Sequence, residues 1–431
     1  MQMRYKAALL TIIGALALYG CGQDEATSSA SGDASSDDVI TVVIGHVAPL
    51  TGNIAHLGKD NENGARLAVD DLNAQQLKIG GKTLVIQLQG EDDQADPKTA
   101  TLVAQKLVDS RVAGVVGHLN SGTTIPASQI YADAGIPQVS PSATNPTYTL
   151  QGFKTAFRVM ANDIQQGSVL GRYAVKGLGA KRMAIIDDRT AYGQGLADEV
   201  EKGAKAAGAE IVAREFTRND ATDFRAILTS IKSRNPDVIF YGGMDAQAGP
   251  MAKQMRQLGM DAKFMAGDGG CSPEFIKLAG DAAEGTYCSQ TGLPLEKMPR
   301  GPAFAKRYME KFGSPVQIYS PYSYDAVQVL VDAMVRAGSI DPAKYLPEIA
   351  RTSFEGVSGR VEFDEKGDLR NGAVTVYVVR NGKHEVREIV GGSPIDQAAA
   401  AVRANIDAAK LAGDSAARAV GEKVRTVTPQ P

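Results

Sequence analysis

The feature that most limits what this chain can fold into is an alternation that runs through it twice. From Val39 onward, short runs rich in β-branched residues (VITVVIGHVAP, KTLVIQLQ, VAGVVGH, IPQVS) alternate with longer stretches that carry apolar residues at helical spacing (NENGARLAVDDLNAQ, DPKTATLVAQKLVDS, TTIPASQIYADAG). In the second of these stretches Ala100, Leu102, Val103, Leu107 and Val108 are read as one apolar stripe. The pattern then restarts, with KRMAIIDD, AEIVAREF, PDVIFYGG and AKFMAGDG separated by YGQGLADEVEKGAKAAG, DFRAILTSIKSR and AGPMAKQMRQLG. Strand–helix–strand alternation requires right-handed crossovers, which predicts α/β lobes built on parallel sheets covered on both faces. Two such lobes are expected, joined near residues 157–163. Further helices are expected at about 302–311 and 319–337, and AVTVYVVRNGKHEVREIV reads as a β-hairpin turning at Asn381 and Gly382.

The first residues have another character. Arg4 and Lys6 precede AALLTIIGALAL and then YGC, a charged and apolar sequence typical of an export signal and too short to span a bilayer stably. Leu18, Tyr19, Gly20 and Cys21 resemble a bacterial lipobox, in which the cysteine is acylated; the alternative is a plain secretory signal with an incidental cysteine. Residues 22–38, GQDEATSSASGDASSDD, have almost nothing to bury and read as a flexible tether. Residues 1–21 are thus expected to be a lipoprotein signal peptide, and the protein to be periplasmic and held to a membrane through a lipid on Cys21. Residues 393–431 are Ala-rich and read as a solvated amphipathic extension.

Charge excludes one class of partner. Lys and Arg total 46 against 49 Asp and Glu, a net charge of -3, so no basic field points to nucleic acid. With Cys21 set aside, Cys271 and Cys288 remain, either as a disulfide or as two buried thiols; export favours the disulfide. His46, His56, His118 and His384 lie far apart in sequence, and no metal site or cofactor is expected. Gly117 and Gly122 with the following threonines approach a phosphate-binding loop, but Thr123 stands where that loop needs its lysine. Hydrolase, metalloprotease and dinucleotide motifs are absent from the sequence, and the chain is read as a binding protein, not an enzyme.

What the stretch VVGHLNSGTTIPAS does supply is a helix N-terminus at the C-terminal edge of a parallel strand, where free amides and hydroxyls attract anions. VSPSATNP has the same character after the next strand. Two hydroxylated loops on neighbouring strand ends suit one small carboxylate, because ligands of open α/β sheets lie outside those ends.

GHLNSGTTIPAS, SPSATNP, AYGQGLA, FYGG and DEKGDL, in this order, resemble the branched-chain amino acid binding proteins of bacterial ABC importers, the LIV-type periplasmic binding proteins (periplasmic binding protein type I). The likeness runs over about residues 39–390. It implies two doubly wound parallel-sheet lobes joined by three hinge crossovers, with an amino acid enclosed between them and delivered to a permease and ATPase complex. The lobes would comprise 39–160 plus 290–356 and 161–289 plus 357–392. The resemblance assigns Ser121 and Thr144 to the ligand carboxylate, and Ser142, with Thr144, to the ammonium. Asp268 falls where the family has a glutamate paired with the ammonium, and Tyr192 where a tyrosine closes over the ligand. Leu119, Asn120 and Ala143 would line the same wall, with Leu57, Met244 and Tyr319 at side-chain pocket positions. Ala95 and Asn120 stand where relatives have a disulfide, so that bridge is absent. The expected ligand is a branched-chain or other apolar amino acid, and the protein is expected to be a monomer. The alternative is a sensory amino-acid-binding protein that signals to a partner receptor.

Overall fold

The computed structural model describes residues 38–392. The signal segment, Cys21, all of the tether but Asp38, and the Ala-rich extension lie outside the described residues. The first sheet holds β1 (Val39–Ala48), β2 (Lys78–Ile79), β3 (Lys82–Asp92), β4 (Gly114–Gly117), β5 (Gln138–Ser140) and β6 (Ala156–Arg158), in the order β2-β3-β1-β4-β5-β6. Every pairing is parallel except that of the edge strand β2 with β3. The second sheet holds β7 (Arg182–Asp187), β8 (Glu210–Phe216), β9 (Val238–Gly242), β10 (Lys263–Ala266) and β11 (Tyr287–Gln290), all parallel. After a small hairpin of β12 (Ser353–Glu355) and β13 (Arg360–Glu362), the chain completes the second sheet with antiparallel β14 (Val374–Arg380) and β15 (Lys383–Val390). These are the two α/β lobes that the repeated alternation requires. The β14–β15 turn sits at Asn381 and Gly382, both at positive φ, as a two-residue hairpin demands.

The chain passes between the lobes three times: after β6, after β11 and after β13. Helices Gly301–Phe312 and Ser320–Ala337 belong to the first lobe, where Phe304, Tyr308, Val327 and Leu330 join Ile44, Leu67 and Ile86 in one core. Val357, Val361 and Phe363 pack into the same core, so the third passage lies beyond Phe363, later than the 356/357 boundary read from the sequence. Helices Ala55–Ala74 and Ser320–Ala337 touch at Gly64, where a Cβ would stand 2.1 Å from the Ser320 carbonyl oxygen. Helix Pro97–Asp109 buries Ala100, Val103, Ala104 and Leu107, but Leu102 is 73% exposed, against expectation. At about 100° per residue Leu102 stands roughly 200° from Ala100 and leaves the stripe.

The elements that the alternation did not announce include β6, β11 and helix Asp163–Lys176. The helix starts with a reciprocal cap, in which the Asn162 side chain accepts from the Gln165 amide and the Gln165 side chain accepts from the Asn162 amide. It begins directly after the first passage between lobes.

Candidate functional site

Parallel strands direct the loops at their C-terminal ends toward one edge of each sheet, and the two edges face each other. From the second lobe comes Asp268, in the turn that follows β10, 1% exposed. Three donors converge on its carboxylate. Tyr192 Oη and Gln166 Nε2 donate to Oδ1 at 2.9 and 3.0 Å, and Tyr319 Oη donates to Oδ2 at 2.8 Å. Tyr192 Oη also accepts from the Gly269 amide at 2.9 Å. Tyr319 belongs to the first lobe, so this carboxylate is gripped from both sides. Burial pushes its pKa upward, opposed by the hydrogen bonds from Tyr319, Gln166 and Tyr192.

The first lobe contributes the two hydroxylated loops. Asn120 precedes helix Ser121–Asp133, and its carbonyl takes the amides of Thr123 and Thr124. Its side chain makes no capping bond, and its Oδ1 is buried without a partner. Ser121 Oγ accepts from the Asn145 amide at 3.2 Å, which links the two loops. Ser142 Oγ accepts from Asn61 Nδ2 at 3.2 Å, and Asn61 Oδ1 faces His46 Nε2 at 3.0 Å. Thr144 is fully buried with its hydroxyl unpartnered, and Ala143 is buried beside it. Leu57 and Leu119 pack into the first lobe's core.

The machinery beneath these residues is ionic. Asp60 accepts the backbone amides of Gln317, Ile318, Tyr319 and Ser320 at 2.7–3.1 Å, which fixes the start of helix Ser320–Ala337 and with it Tyr319. Arg158, at the end of β6, is fully buried; its Nη1 donates to the carbonyls of Ala143 (2.8 Å) and Asn145 (2.9 Å). The same guanidinium pairs with Asp368, in the turn after β13. Two further contacts join the lobes: Asn145 Nδ2 donates to the Ala191 carbonyl at 2.6 Å, and His56 Nε2 meets Asp245 Oδ2 at 2.7 Å. Burial works against the charged form of His56, but the hydrogen bond and charge of Asp245 outweigh it and raise its pKa.

Between the lobes lies a cleft of about 430 Å³, bordered by Asn120, Gly122, Tyr192 and Met244 among others. Asn120 Oδ1, Thr144 Oγ1, both Asp163 carboxylate oxygens and Gln166 Oε1 are buried acceptors without partners, and of these residues only Asn120 lines the cleft. Buried polar atoms are normally satisfied, so these atoms are candidates for contact with a ligand that brings N–H donors.

A two-lobed molecule with facing strand-end loops and a shared buried carboxylate has close relatives. The periplasmic binding protein family profile matches residues 41–383. The chain belongs to the periplasmic binding protein family. It is 38% identical over 344 residues to a Leu/Ile/Val-binding protein homolog 1 of Brucella suis, covering 79% of this chain and 91% of that one. It is 36% identical over 341 residues to the leucine-, isoleucine-, valine-, threonine-, and alanine-binding protein of Pseudomonas aeruginosa, covering 78% and 89%. Among solved structures it resembles a leucine binding protein from Thermotoga maritima, with a TM-score of 0.75 and 31% identity over 82% of this chain and 99% of that one.

Within this family fold, the sequence does not single out Gln166, which donates to Asp268 and Ser289, or Asp163, which is buried at the start of the same helix. A polar signal existed in ANDIQQ, but an acid at a helix start is ordinary. Cys271 and Cys288 form a disulfide between the Asp268 turn and β11, with Cα atoms 5.4 Å apart. The fold also brings His384 to these sulfurs, making the one group of potential metal ligands found among the described residues. Both sulfurs of that group are bonded to each other.

Proposed function

We propose that the protein captures an amino acid between its two lobes and delivers it to the permease of an ABC importer. The observation that carries this reading is Asp268, a buried carboxylate held by donors from both lobes, taken with the hydroxylated loops that carry Ser121 and Thr144 in the first lobe. That arrangement offers an acceptor-rich region for an ammonium and amides with hydroxyls for a carboxylate. The relatives' names support it: leucine, isoleucine and valine recur in them.

In this reading Ser121 and Thr144 hold the carboxylate, and Ser142, Thr144 and Asp268 the ammonium. Tyr192 and Tyr319 orient Asp268, and Ala143, Leu119, Asn120, Leu57 and Met244 shape the side-chain wall. Closure removes the charged head group from water, so a molecule without either charge leaves a buried group unpaired and is rejected. Recognition of the closed form by the permease follows as a population shift on binding. Attachment through acylated Cys21, a periplasmic location and a monomeric state complete the proposal on the strength of the sequence.

A thermal-shift screen of the twenty amino acids tests it. A ligand at a hundred times its Kd adds about 2.7 kcal/mol to the native state. Apolar amino acids should raise Tm, while the matching carboxylic acids without an ammonium should not. A screen in which no amino acid raises Tm overturns the reading.

A further inference from the structure

We propose that the Ser142 hydroxyl is a donor to the ligand's carboxylate, and that His46 and Asn61 are positioning residues that hold it in that role. This rests on the amino-acid reading above.

Three buried side chains from three elements stand in line. His46 lies near the end of β1, Asn61 in helix Ala55–Ala74 and Ser142 in the loop after β5. His46 and Asn61 are fully buried, and Ser142 is 5% exposed. His46 Nε2 stands 3.0 Å from Asn61 Oδ1, and Asn61 Nδ2 donates to Ser142 Oγ at 3.2 Å. The other ring nitrogen, His46 Nδ1, is buried without a partner.

These contacts give the relay a direction. Burial pushes the pKa of His46 down, so the ring is neutral and carries one N–H. On Nε2 that proton meets Asn61 Oδ1. On Nδ1 it would be a buried donor with nothing to receive it, and an orphan donor is tolerated less well than an orphan acceptor. The Asn61 amide is therefore held with its N–H groups toward Ser142. Turned over, it would take the Ser142 proton and leave that hydroxyl only lone pairs to show a ligand.

As it stands, Ser142 Oγ accepts, and its own proton goes to none of the described residues. A ligand carboxylate supplies the missing acceptor, with room on its two oxygens for several donors. Ser142 is two residues from Thr144, and Ser121 is tied to the same loop through the Asn145 amide, so three hydroxyls serve one carboxylate. The Ser142 carbonyl, which takes no backbone amide, stays available to the ammonium.

Two measurements on the full chain test this. Nitrogen-15 spectra of histidine-labelled protein without ligand, with the His46 signals identified by their loss in His46→Gln, should show the Nε2–H tautomer. The Nδ1–H tautomer overturns the proposal. Calorimetry with L-leucine should show affinity falling about ten- to hundredfold in Ser142→Ala, the range for a hydrogen bond to a charged group. His46→Leu and Asn61→Leu should each weaken binding, and His46→Gln, which keeps an N–H for Asn61 Oδ1, should recover much of the His46→Leu loss. In a Ser142→Ala background neither leucine substitution should cost anything further, because its effect passes through that hydroxyl. Unchanged affinity in Ser142→Ala, or losses that add in the double variants, overturn the proposal. The His46 variants decide the matter should Asn61→Leu not fold. Should leucine and the whole screen give no binding, the functional reading falls, while the tautomer still decides which way the relay points.

Discussion

A single side chain, Asp268, meets residues of both lobes, and its worth is set by what surrounds it. Its carboxylate is buried and already holds three donors, so a ligand ammonium adds the countercharge that the protein does not supply. Asp268→Ala should weaken amino acid binding by about 2–4 kcal/mol, the scale for losing a buried charge partner, and calorimetry showing unchanged affinity would falsify its role. Asp268 and Tyr192 were named from the resemblance, and the structure brings the two into hydrogen-bonding contact. Asp163 and Gln166 were not so named. What singles them out is burial against Thr144, Asp268 and Ser289, and those neighbours lie up to 123 residues away along the chain. An acid at a helix start looks the same in sequence whether water or another lobe covers it.

Among the elements, helix Ser320–Ala337 shows how a site residue is held by something outside the site. Tyr319 immediately precedes it, and Asp60 binds the amides around that start. Asp60→Ala would leave buried amides unpaired, and about 3 kcal/mol of stability should be lost, measurable as a lower denaturation midpoint. Ligand affinity should fall with it, because Tyr319 loses its anchor. The long alternating elements were readable because one face of each meets a core. β6 spans only Ala156–Arg158 and β11 only Tyr287–Gln290, too short for a period to appear. Helix Asp163–Lys176 was not announced although Val169, Leu170, Tyr173 and Ala174 form an apolar stripe on it, and Gly167 and Gly171 lie on its packed side. They are there because a Cβ at either would strike helix Ala191–Ala207, at 2.4 Å from Glu199 Cβ and 2.3 Å from the Ala204 amide nitrogen.

At the scale of the molecule, two lobes were readable from a pattern that restarts, and the resemblance implied a ligand enclosed between them, whereas the contacts that join them were not readable. His56 and Asp245 are 189 positions apart, and nothing in either local sequence announces the other. Their contact bridges the two lobes, and His56 is only partly exposed, so solvent screens it incompletely. His56→Ala should weaken ligand binding about three- to tenfold without touching the ligand, which a titration of the variant checks. Unchanged affinity would mean that the contact persists when the lobes part.

Arg158 has a consequence of a different kind. One guanidinium is bolted at once to the carbonyls of Ala143 and Asn145 and to Asp368 beyond β13. The first and third passages between the lobes therefore share a single bearing, and the loop that carries Ser142 and Thr144 is mounted on it. A swing of the lobes about these passages would load that loop as well, so opening the molecule is expected to loosen its grip on the cargo in the same movement.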